Sequence, residues 1–178
     1  CAAQEAEAFV EEVPEKLPFM ATSCCPAWSM MAKKLFPEQA NCISMALTPM
    51  TLTARLVKHH QPGAKVAFIG PCAAKKLEAM RSDVRSEVDF VLTFEEMAGI
   101  FAARHIDVET LKEDPHGIND ASTDGRNFAV SGGVAKAVVN VINEKYPDRE
   151  IKVANAEGLR DCRKLTLEAV SRRYGRKL

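Results

Sequence analysis

The sequence predicts an α/β fold in which parallel β-sheets are flanked by helices. Short apolar runs typical of buried strands alternate along the chain with longer segments that have helical composition and periodicity. Strands joined by helices of this length are typical of parallel sheets covered on both faces. Several turns that contain cysteine or glycine follow a predicted strand and precede a predicted helix, which is where open parallel sheets bind ligands.

The first part of the chain predicts one strand between helices. Residues 2–13 are rich in helix formers, and Pro14 ends that run. LPFMAT, residues 17–22, is typical of a short buried strand. Pro26 and Pro49 each suit the first turn of a further helix, and the second of these helices ends at HHQPGA.

The middle of the chain predicts two strands that are each followed by a helix. KVAFIG, residues 65–70, is a short apolar run between a Pro-Gly turn and a Gly-Pro stop, and a helix over 72–81 follows it. VDFVLT, residues 88–93, predicts the next strand, with a helix over 94–105. The polar stretch 106–126 predicts a long loop.

The last part of the chain repeats this pattern. NFAV, residues 127–130, predicts a short strand that leads through the turn 131–133 into a helix over 134–145. Residues 149–158 predict one more strand, and 159–173 predict a closing helix.

Size and charge exclude several classes of protein. The 178 residues, 47% of them hydrophobic, fit one domain with a real core or two small lobes that share one. Lys and Arg number 24, as do Asp and Glu, so no net charge attracts nucleic acid or a membrane surface. No apolar run is long enough for a membrane span, and the N-terminus lacks a signal pattern. Because the chain begins with Cys rather than Met, we expect a fragment of a longer protein.

The cysteines indicate metal or redox chemistry in a reducing compartment. Their uneven spacing is unlike a secreted disulfide framework, and a chain of this size needs no disulfide to be stable. Inert buried thiols are the alternative, since cysteine is also a good core residue. The six positions are Cys1, Cys24, Cys25, Cys42, Cys72 and Cys162.

Two short stretches place cysteine at a predicted helix N-terminus. TSCCPAW, residues 22–28, holds two adjacent thiols that rarely bridge each other, because the ring would strain the peptide between them. GPCAAKKLE, residues 70–78, places Cys72 where a helix start favours the thiolate, either as a ligand or as a nucleophile. Lys75 follows one turn later. Taken alone, this second stretch equally fits a capped helix with a solvated charged face.

Together these segments resemble the catalytic domain of the iron-only ([FeFe]) hydrogenases. That family typically has TSCCPGW as its first signature and MPCxxKxxE as its second, and in this chain the two matching stretches lie about fifty residues apart. The resemblance continues through CISMALTPM and NFAVSGGVAKA, so it covers nearly all of the chain. It implies an iron hydrogenase-like fold of two lobes with the active-site cleft between them. We expect residues 1–178 to be one part of that catalytic domain.

The resemblance implies a metal centre, the H-cluster, made of a [4Fe–4S] cubane and a diiron subcluster. Cys25 and Cys72 match two of the four thiolates that hold the cubane, consistent with cysteine ligation of such clusters. The residues that match the wall of the pocket and its close backbone approach are Pro49, Phe128, Ser131, Gly132 and Gly133. On their own, such glycines equally fit a tight turn or close helix packing.

The resemblance also implies a proton route and an anion contact. Cys24 matches the thiol that stays off the cubane and passes protons to the diiron site, which bears CO, cyanide and a dithiolate bridge. A thiol suits this task because its ordinary pKa is within reach of neutrality. Lys75 matches the lysine whose ammonium pairs with a cyanide ligand. Ser44 and Glu7 match outward steps of the proton route.

Some positions depart from the family pattern. Ala27 replaces a glycine, Gly70 a methionine, and Met50 a glutamine that elsewhere faces the diiron ligands. Gln4 occupies the position at which an acid often starts the proton route, although Glu5 is adjacent and a slipped register would restore the acid. These changes resemble a less-studied branch of the family and leave the thiols intact.

The family's last cysteine motif, similar to EVMACxxGC, does not occur in this sequence. It would supply the other two cubane ligands, and Cys1, Cys42 and Cys162 lack its spacing and context. We therefore expect that residues 1–178 do not retain the complete cofactor on their own.

The leading functional hypothesis is part of a cytoplasmic hydrogenase of anaerobic metabolism that interconverts protons with H2. Ferredoxin, or a cluster-bearing domain or subunit, would be the electron partner. The alternative is a non-catalytic relative that senses hydrogen or redox state, or that assembles iron–sulfur clusters. The presence of Cys24 favours the enzyme, because a sensor does not need a relay thiol. A thiol oxidoreductase is a poor fit, since vicinal cysteines lack the Cys-x-x-Cys spacing.

Overall fold

The structure is a computed structural model of the chain and describes residues 1–84, 86–114 and 121–174. It has the predicted α/β fold, with helices and, among the described residues, a two-stranded parallel sheet. The helices are α1 (Ala2–Glu12), α2 (Pro26–Leu35), α3 (Pro49–His60), α4 (Ala74–Met80), α5 (Phe94–Ala103), α6 (Thr123–Asn127), α7 (Gly133–Lys145) and α8 (Gly158–Tyr174), the strands are β1 (Ala67–Gly70) and β2 (Phe90–Thr93), and short 3₁₀ helices span Pro37–Cys42 and Val108–Thr110.

The chain divides into two compact units. The first comprises Cys1–Thr48 and Ala121–Leu178, and the second comprises Pro49–Asp120. In the first unit, α1 packs against α7. Buried apolar side chains on both helices form this core, because each helix presents an apolar stripe to the other. They are Ala6, Val138 and Ile142, and partly buried around them are Ala2, Phe9, Val10, Val141 and Ile151.

Polar contacts at the edges of this helix pair fix the position of α1. Lys145 Nζ donates to Glu7 Oε1 at 2.8 Å across the exposed side. The Arg149 guanidinium donates to the Val13 carbonyl and lies 5.7 Å from the centre of the Phe9 ring. An arginine over an aromatic face adds a cation–π attraction to the hydrogen bond. The C-terminal end of α1 is thereby held beside the segment that follows α7.

The second unit is built around the parallel strands β1 and β2. Their register runs from Ala67 opposite Phe90 to Gly70 opposite Thr93. Just before β2, the Asp89 carboxylate accepts a hydrogen bond from the Val66 N–H at 2.8 Å. Lys58 Nζ lies 2.9 Å from the same carboxylate. These contacts set where the second strand begins.

Helix α5 begins at a capping box directly after β2. The Thr93 side chain accepts from the Glu96 N–H at 3.2 Å, and Glu96 Oε2 accepts from the Thr93 N–H at 2.8 Å. A reciprocal pair of this kind satisfies backbone N–H groups that the helix leaves without partners. Lys76 on α4 also pairs with Glu96. The start of α5 is thus linked to α4.

Most of the predicted elements are confirmed. The strands expected over 65–70 and 88–93 are present as β1 and β2 and pair in parallel. Helices α2 and α3 begin at Pro26 and Pro49, as predicted, and the helix expected over 134–145 is α7. The helix predicted over 2–13 is α1, which ends just before Pro14.

Two strand predictions are wrong because the segments lack a strand partner among the described residues. In the stretch 17–22, Ala21 alone forms a bridge, pairing in parallel with Ile43. Its N–H donates to the Cys42 carbonyl at 2.8 Å and its carbonyl accepts from the Ser44 N–H at 2.9 Å. In the stretch 149–158, residues 149–157 form neither helix nor strand and are mostly exposed, and Gly158 begins α8.

The predictions for 106–130 also need correction. The expected strand over 127–130 is the end of α6 and a turn, because Ser122 caps a short helix by accepting from the Gly125 N–H at 3.0 Å. The turn 131–133 therefore follows a helix rather than a strand. Part of the expected loop is the 3₁₀ helix Val108–Thr110, and its residues 115–120 lie outside the described part of the chain.

Candidate functional site

The cysteine pair lies at the start of α2 in the first unit. Cys25 is the N-cap residue and is exposed, Pro26 is the first helical residue, and Cys24 is half-buried. The Trp28 indole N–H donates to the Thr22 carbonyl at 3.0 Å and so ties the helix back to the segment that enters it. The two neighbouring thiols therefore have different degrees of exposure on one fixed corner.

A buried carboxyl lies behind this corner. The Glu5 side chain on α1 is only 3% exposed. Burial raises the pKa of the Glu5 carboxyl above its ordinary value, although hydrogen bonds from the Ser44 side chain and the Ser23 backbone and the charge of the Cys1 amino group act in the opposite direction. Glu5 thus contacts the residue that precedes Cys24. The sequence indicated Glu5 only as a neighbour of Gln4, and the structure places it inside.

Ser44 is also buried and is held by its own loop. Its Oγ accepts a hydrogen bond from the Ala46 N–H at 3.2 Å. Ser44 forms part of the wall of a cavity of about 260 Å³ that lies wholly in the first unit. The cavity is lined by one side of α1, by Met20 and by the segment 41–46. The lining residues are Gln4, Ala8, Glu12, Met20, Asn41, Cys42, Ile43, Ser44, Met45 and Ala46.

Glu7, the other residue matched to the proton route, lies on the surface. Its carboxylate pairs with Lys145, and both side chains are about half exposed. The ammonium of Lys145, by hydrogen bond and by charge, lowers the pKa of the Glu7 carboxyl. Glu7 is not among the residues that line the cavity. Its role in proton transfer stays a prediction.

The second motif forms a buried ion pair in the second unit. Cys72 follows β1, is half-buried, and its carbonyl accepts from the Lys75 N–H at 3.1 Å. Lys75 Nζ lies 2.7 Å from Glu78 Oε2, and the two side chains are 12% and 3% exposed. Thr51 Oγ1 donates to the other oxygen of Glu78 at 3.4 Å. Because a buried ammonium needs a counterion, the Glu78 carboxylate compensates for the burial of the Lys75 side chain.

Glu78 was not assigned a role from the sequence, although the signal was present. Lys and Glu three residues apart lie on one face of a helix, so the spacing in KKLE predicts their contact. The burial of both groups could not be predicted from this spacing.

The residues matched to the pocket wall have structural roles of their own. Pro49 begins α3 and is half-buried, and Phe128 directly follows α6 and is half-buried. Gly132 has a φ of +74°, which favours glycine. A Cβ on Gly133 would lie 1.8 Å from the Asn127 carbonyl oxygen. Ser131 is exposed next to them. The glycines are therefore required by the turn itself, and contact with a cofactor stays a prediction.

The other three cysteines differ in their surroundings. Cys1 Sγ donates to the Leu47 carbonyl at 3.2 Å, and Cys42 is buried in the core of the first unit. Burial raises the pKa of the Cys162 thiol, and the charges of Cys25 and Asp161 raise it further. Cys162 on α8 therefore lies near enough to Cys25 to respond to its charge, a proximity that the sequence did not indicate.

The donor chemistry fits part of an iron–sulfur site. Among residues 1–84, 86–114 and 121–174, no group of three or more His, Cys, Asp or Glu side chains is arranged to hold a metal ion. Cys25 in the first unit and Cys72 in the second offer two thiolates of the kind that clusters need. Their joint ligation stays a prediction. In the described part of the chain, no helix is long and apolar enough to cross a membrane.

Comparison with known proteins gives the family of the chain. The family model described as "Iron only hydrogenase large subunit, C-terminal domain" matches residues 1–176. Iron hydrogenase 1 of Clostridium pasteurianum is 27% identical over 96% of the chain, and the periplasmic [Fe] hydrogenase large subunit of Nitratidesulfovibrio vulgaris is 32% identical over 82%. The chain spans 33% and 39% of the lengths of these two proteins.

Similarity also extends to a protein with another role and to solved structures. The cytosolic Fe-S cluster assembly factor NAR1 of Kluyveromyces lactis is 26% identical over 79% of the chain, which spans 32% of it. A variant of the [FeFe]-hydrogenase HydA1 from Chlamydomonas reinhardtii superposes on 88% of the chain with a TM-score of 0.60 and 26% identity, and 44% of its own chain is covered. These matches confirm the fold expected from the motifs. The chain therefore belongs to the family of the C-terminal domain of the iron-only hydrogenase large subunit.

Proposed function

We propose that this chain forms part of the catalytic domain of a hydrogenase that interconverts protons and electrons with H2. The observation that supports it most is the buried Lys75–Glu78 pair, which places an ammonium one turn after the candidate ligand Cys72. Burying a charge costs free energy, so an ammonium kept at this point suits a site that receives an anionic ligand. Ferredoxin, or a cluster-bearing domain or subunit, would exchange the electrons.

In this proposal Cys25 and Cys72 hold the [4Fe–4S] cubane of the H-cluster together with cysteines from outside this sequence. When bound, the H-cluster supplies the redox chemistry that interconverts protons and H2. Lys75 donates a charge-assisted hydrogen bond to an anionic ligand of the diiron unit. Glu78 orients the Lys75 ammonium. Pro49, Phe128 and the turn of Ser131, Gly132 and Gly133 exclude water.

Cys24 holds the proton that enters or leaves the site. Cys24 is half-buried next to the exposed Cys25, which suits two neighbouring side chains with different tasks. A thiol accepts and releases a proton near neutrality when its surroundings are tuned. Ser44 is the next hydroxyl on the route toward the surface.

A cluster-assembly role is the second candidate, because a relative named as an assembly factor matches 79% of the chain. A hydrogen- or redox-sensing role belongs to the same class. Neither role needs a thiol that relays protons, so Cys24 separates the candidates. For the setting we propose the anaerobic cytoplasm, since the cysteines do not form a secreted disulfide pattern.

The experiment uses the full-length protein, matured without oxygen with the diiron unit. Infrared bands of CO and cyanide report the cofactor, and H2 output reports turnover. We expect both in the parent, and in Cys24→Ala we expect unchanged bands with H2 output reduced on the order of a hundredfold. Cys42→Ser is the control, because Cys42 is a core residue. Absence of the bands in the parent would favour the assembly role, and full turnover in Cys24→Ala would contradict the relay.

A further inference from the structure

Two thiols from distant parts of the sequence lie near each other in the first unit. Cys25 is the N-cap residue of α2, and Cys162 lies in the second turn of α8. Helices α2 and α8 pack against each other, and both belong to the first unit. The charge of Cys25 also contributes to the raised pKa of the Cys162 thiol, and such an effect weakens with distance. Helix packing therefore brings the two cysteines together.

Cys162 lies on the inward side of α8. Thr166 is four residues further on and so lies on the same side of the helix. It is 6% exposed, and its Oγ1 donates to the Cys162 carbonyl at 2.8 Å. Cys162 is itself half-buried, and its sulfur lies 3.9 Å from the Ala156 carbonyl oxygen. Because a thiol is a weak hydrogen-bond donor, this last contact does little to hold the sulfur back from another reaction.

Cys25 is the more accessible of the two thiols. It is exposed, whereas Cys162 is half-buried. The Cys25 carbonyl accepts from the Ser29 N–H at 3.0 Å, which fixes the backbone at the start of α2. Among the described residues, none receives a capping hydrogen bond from its side chain. A soluble oxidant therefore meets the Cys25 sulfur first, since oxidation of cysteine follows exposure and thiolate character.

Cys24 is a poor disulfide partner for Cys25, although it is adjacent in the sequence. A bridge between neighbouring cysteines strains the peptide that joins them. Cys162 comes from another helix and is free of that constraint. The thiol that can bridge Cys25 is therefore the one on α8.

We propose that Cys25 and Cys162 form a reversible disulfide when no cluster occupies Cys25, and that Cys162 thereby protects Cys25 from irreversible oxidation. The disulfide itself does not depend on the proposed function, whereas its benefit rests on it, since there Cys25 is a ligand of the cubane. A cluster ligand has to be a thiolate, so the disulfide and the cluster exclude each other at Cys25. The disulfide keeps an empty site in a form that a reductant restores.

The oxidant in this proposal is a peroxide. The Cys25 sulfur attacks one oxygen of H2O2, the O–O bond breaks, and a sulfenic acid and one water molecule result. The Cys162 sulfur then attacks the sulfenic sulfur, the S–O bond breaks, and a second water molecule leaves. Two thiols and one H2O2 thus give one disulfide and two water molecules, and the peroxide takes both electrons. Without Cys162, more peroxide converts the sulfenic acid to a sulfinic acid, which thiols do not reduce.

The first test detects the disulfide and needs no cluster. The full-length protein is stripped of iron, reduced, treated with a small excess of H2O2, blocked at its remaining thiols and digested without reduction. We expect mass spectrometry to find the peptide with Cys25 joined to the peptide with Cys162. The controls Cys24→Ser and Cys42→Ser should give the same joined peptides. In Cys162→Ser we expect none, and instead a sulfenic acid on Cys25 that dimedone traps.

Two results of the first test would overturn the proposal. One is a parent protein in which no joined peptides form after peroxide treatment. The other is a parent protein in which Cys25 is joined to Cys24 or to any cysteine other than Cys162. Both are read from the parent alone, so they hold even if a variant folds poorly.

The second test measures protection of the ligand. The iron-free parent and Cys162→Ser are treated with H2O2, reduced with dithiothreitol, and reconstituted with iron and sulfide without oxygen. We expect the parent to regain its iron content and the electron paramagnetic resonance signal of a reduced [4Fe–4S] cluster, and Cys162→Ser to lose most of both. Without peroxide, the two proteins should take up equal amounts of iron. Equal recovery after peroxide would overturn the protective role of Cys162.

The outcomes separate this inference from the proposed function. If the untreated parent takes up no cluster, the proposed function fails, whereas the joined peptides of the first test still report on Cys25 and Cys162. If the untreated parent takes up the cluster but forms no joined peptides after peroxide treatment, the inference fails and the proposed function stands.

Discussion

The ammonium of Lys75 lies 2.7 Å from a carboxylate oxygen of Glu78, one turn along α4, and neither side chain is more than 12% exposed. Thr51 donates to the second carboxylate oxygen. A pair held in this way orients the ammonium, and in the proposed function this would reduce the entropy lost when an anionic ligand binds.

Breaking this pair should destabilise the chain strongly. Glu78→Gln leaves a buried ammonium without its counterion, and we expect the free energy of unfolding to fall by about 3 kcal/mol. Urea unfolding measures it. The control is Lys76→Gln on the same helix, which breaks the more exposed pair with Glu96 and should cost much less. Equal losses in the two variants would show that the Lys75–Glu78 pair is not buried as described.

The Asp89 carboxylate should make the second unit sensitive to acid. The Val66 N–H and then the ammonium groups of Lys58 and Lys65 lower the pKa of Asp89 from 3.8 to about 2. Because the folded pKa is lowered, the carboxylate stabilises the fold above 3.8, and this stabilisation is lost as the pH falls toward about 2. Asp89→Asn should be less stable than the parent at neutral pH, and its free energy of unfolding should fall less than that of the parent on acidification. Urea unfolding at several pH values measures both.

In that series, Lys58→Met removes one of the ammonium groups and keeps the Val66 contact. We expect an intermediate pH dependence. If Asp89→Asn loses as much stability on acidification as the parent does, the carboxylate is not held by these groups.

Glu5 should give the opposite dependence on pH. Its folded pKa is raised above 4.5, so its stabilisation is fully present below that value and is lost as the pH rises through the folded pKa. Unfolding midpoints in urea should therefore fall from acidic to neutral pH more in the parent than in Glu5→Gln. Glu11→Gln should behave as the parent. A midpoint difference that is the same in all three proteins would contradict the burial of this carboxyl.

Two glycine substitutions should have opposite effects. Gly133→Ala places a Cβ 1.8 Å from the Asn127 carbonyl oxygen, and we expect it to lower the free energy of unfolding by about 2 kcal/mol or more. Gly99→Ala in α5 has no atom within 4 Å of the new Cβ and should stabilise that helix by up to about 1 kcal/mol. Thermal unfolding compares them. Stabilisation by Gly133→Ala would show that the turn is more open.

Local rules predicted the elements whose stabilising contacts are close in sequence. The preference of proline for a first helical turn predicted the starts of α2 and α3. The apolar run between two turn signals predicted β1. The same rule failed at 17–22 and 149–158, because an apolar or alternating run becomes a strand only when another strand pairs with it. No local signal shows whether such a partner exists.

The sequence named the thiols and Lys75 as candidate site residues, and their roles stay predictions. It did not show which of the polar groups near them are buried. Gln4, Glu5 and Glu7 are close in sequence, but only packing of α1 shows that Glu5 is inside and Glu7 on the surface. Similarly, helical spacing indicates a contact between Lys75 and Glu78 but not its burial. The cavity beside Ser44 joins residues some forty positions apart, and such an arrangement is visible only in the folded chain.

The most direct test of the central claim is the iron–sulfur cluster content of the full-length protein, reconstituted without oxygen and measured by iron analysis with electron paramagnetic resonance of the reduced sample. We predict that the parent and Cys42→Ser show the signal of a reduced [4Fe–4S] cluster, and that Cys25→Ser and Cys72→Ser each lose or strongly change it. Parent-like spectra and iron content in both Cys25→Ser and Cys72→Ser would contradict the account.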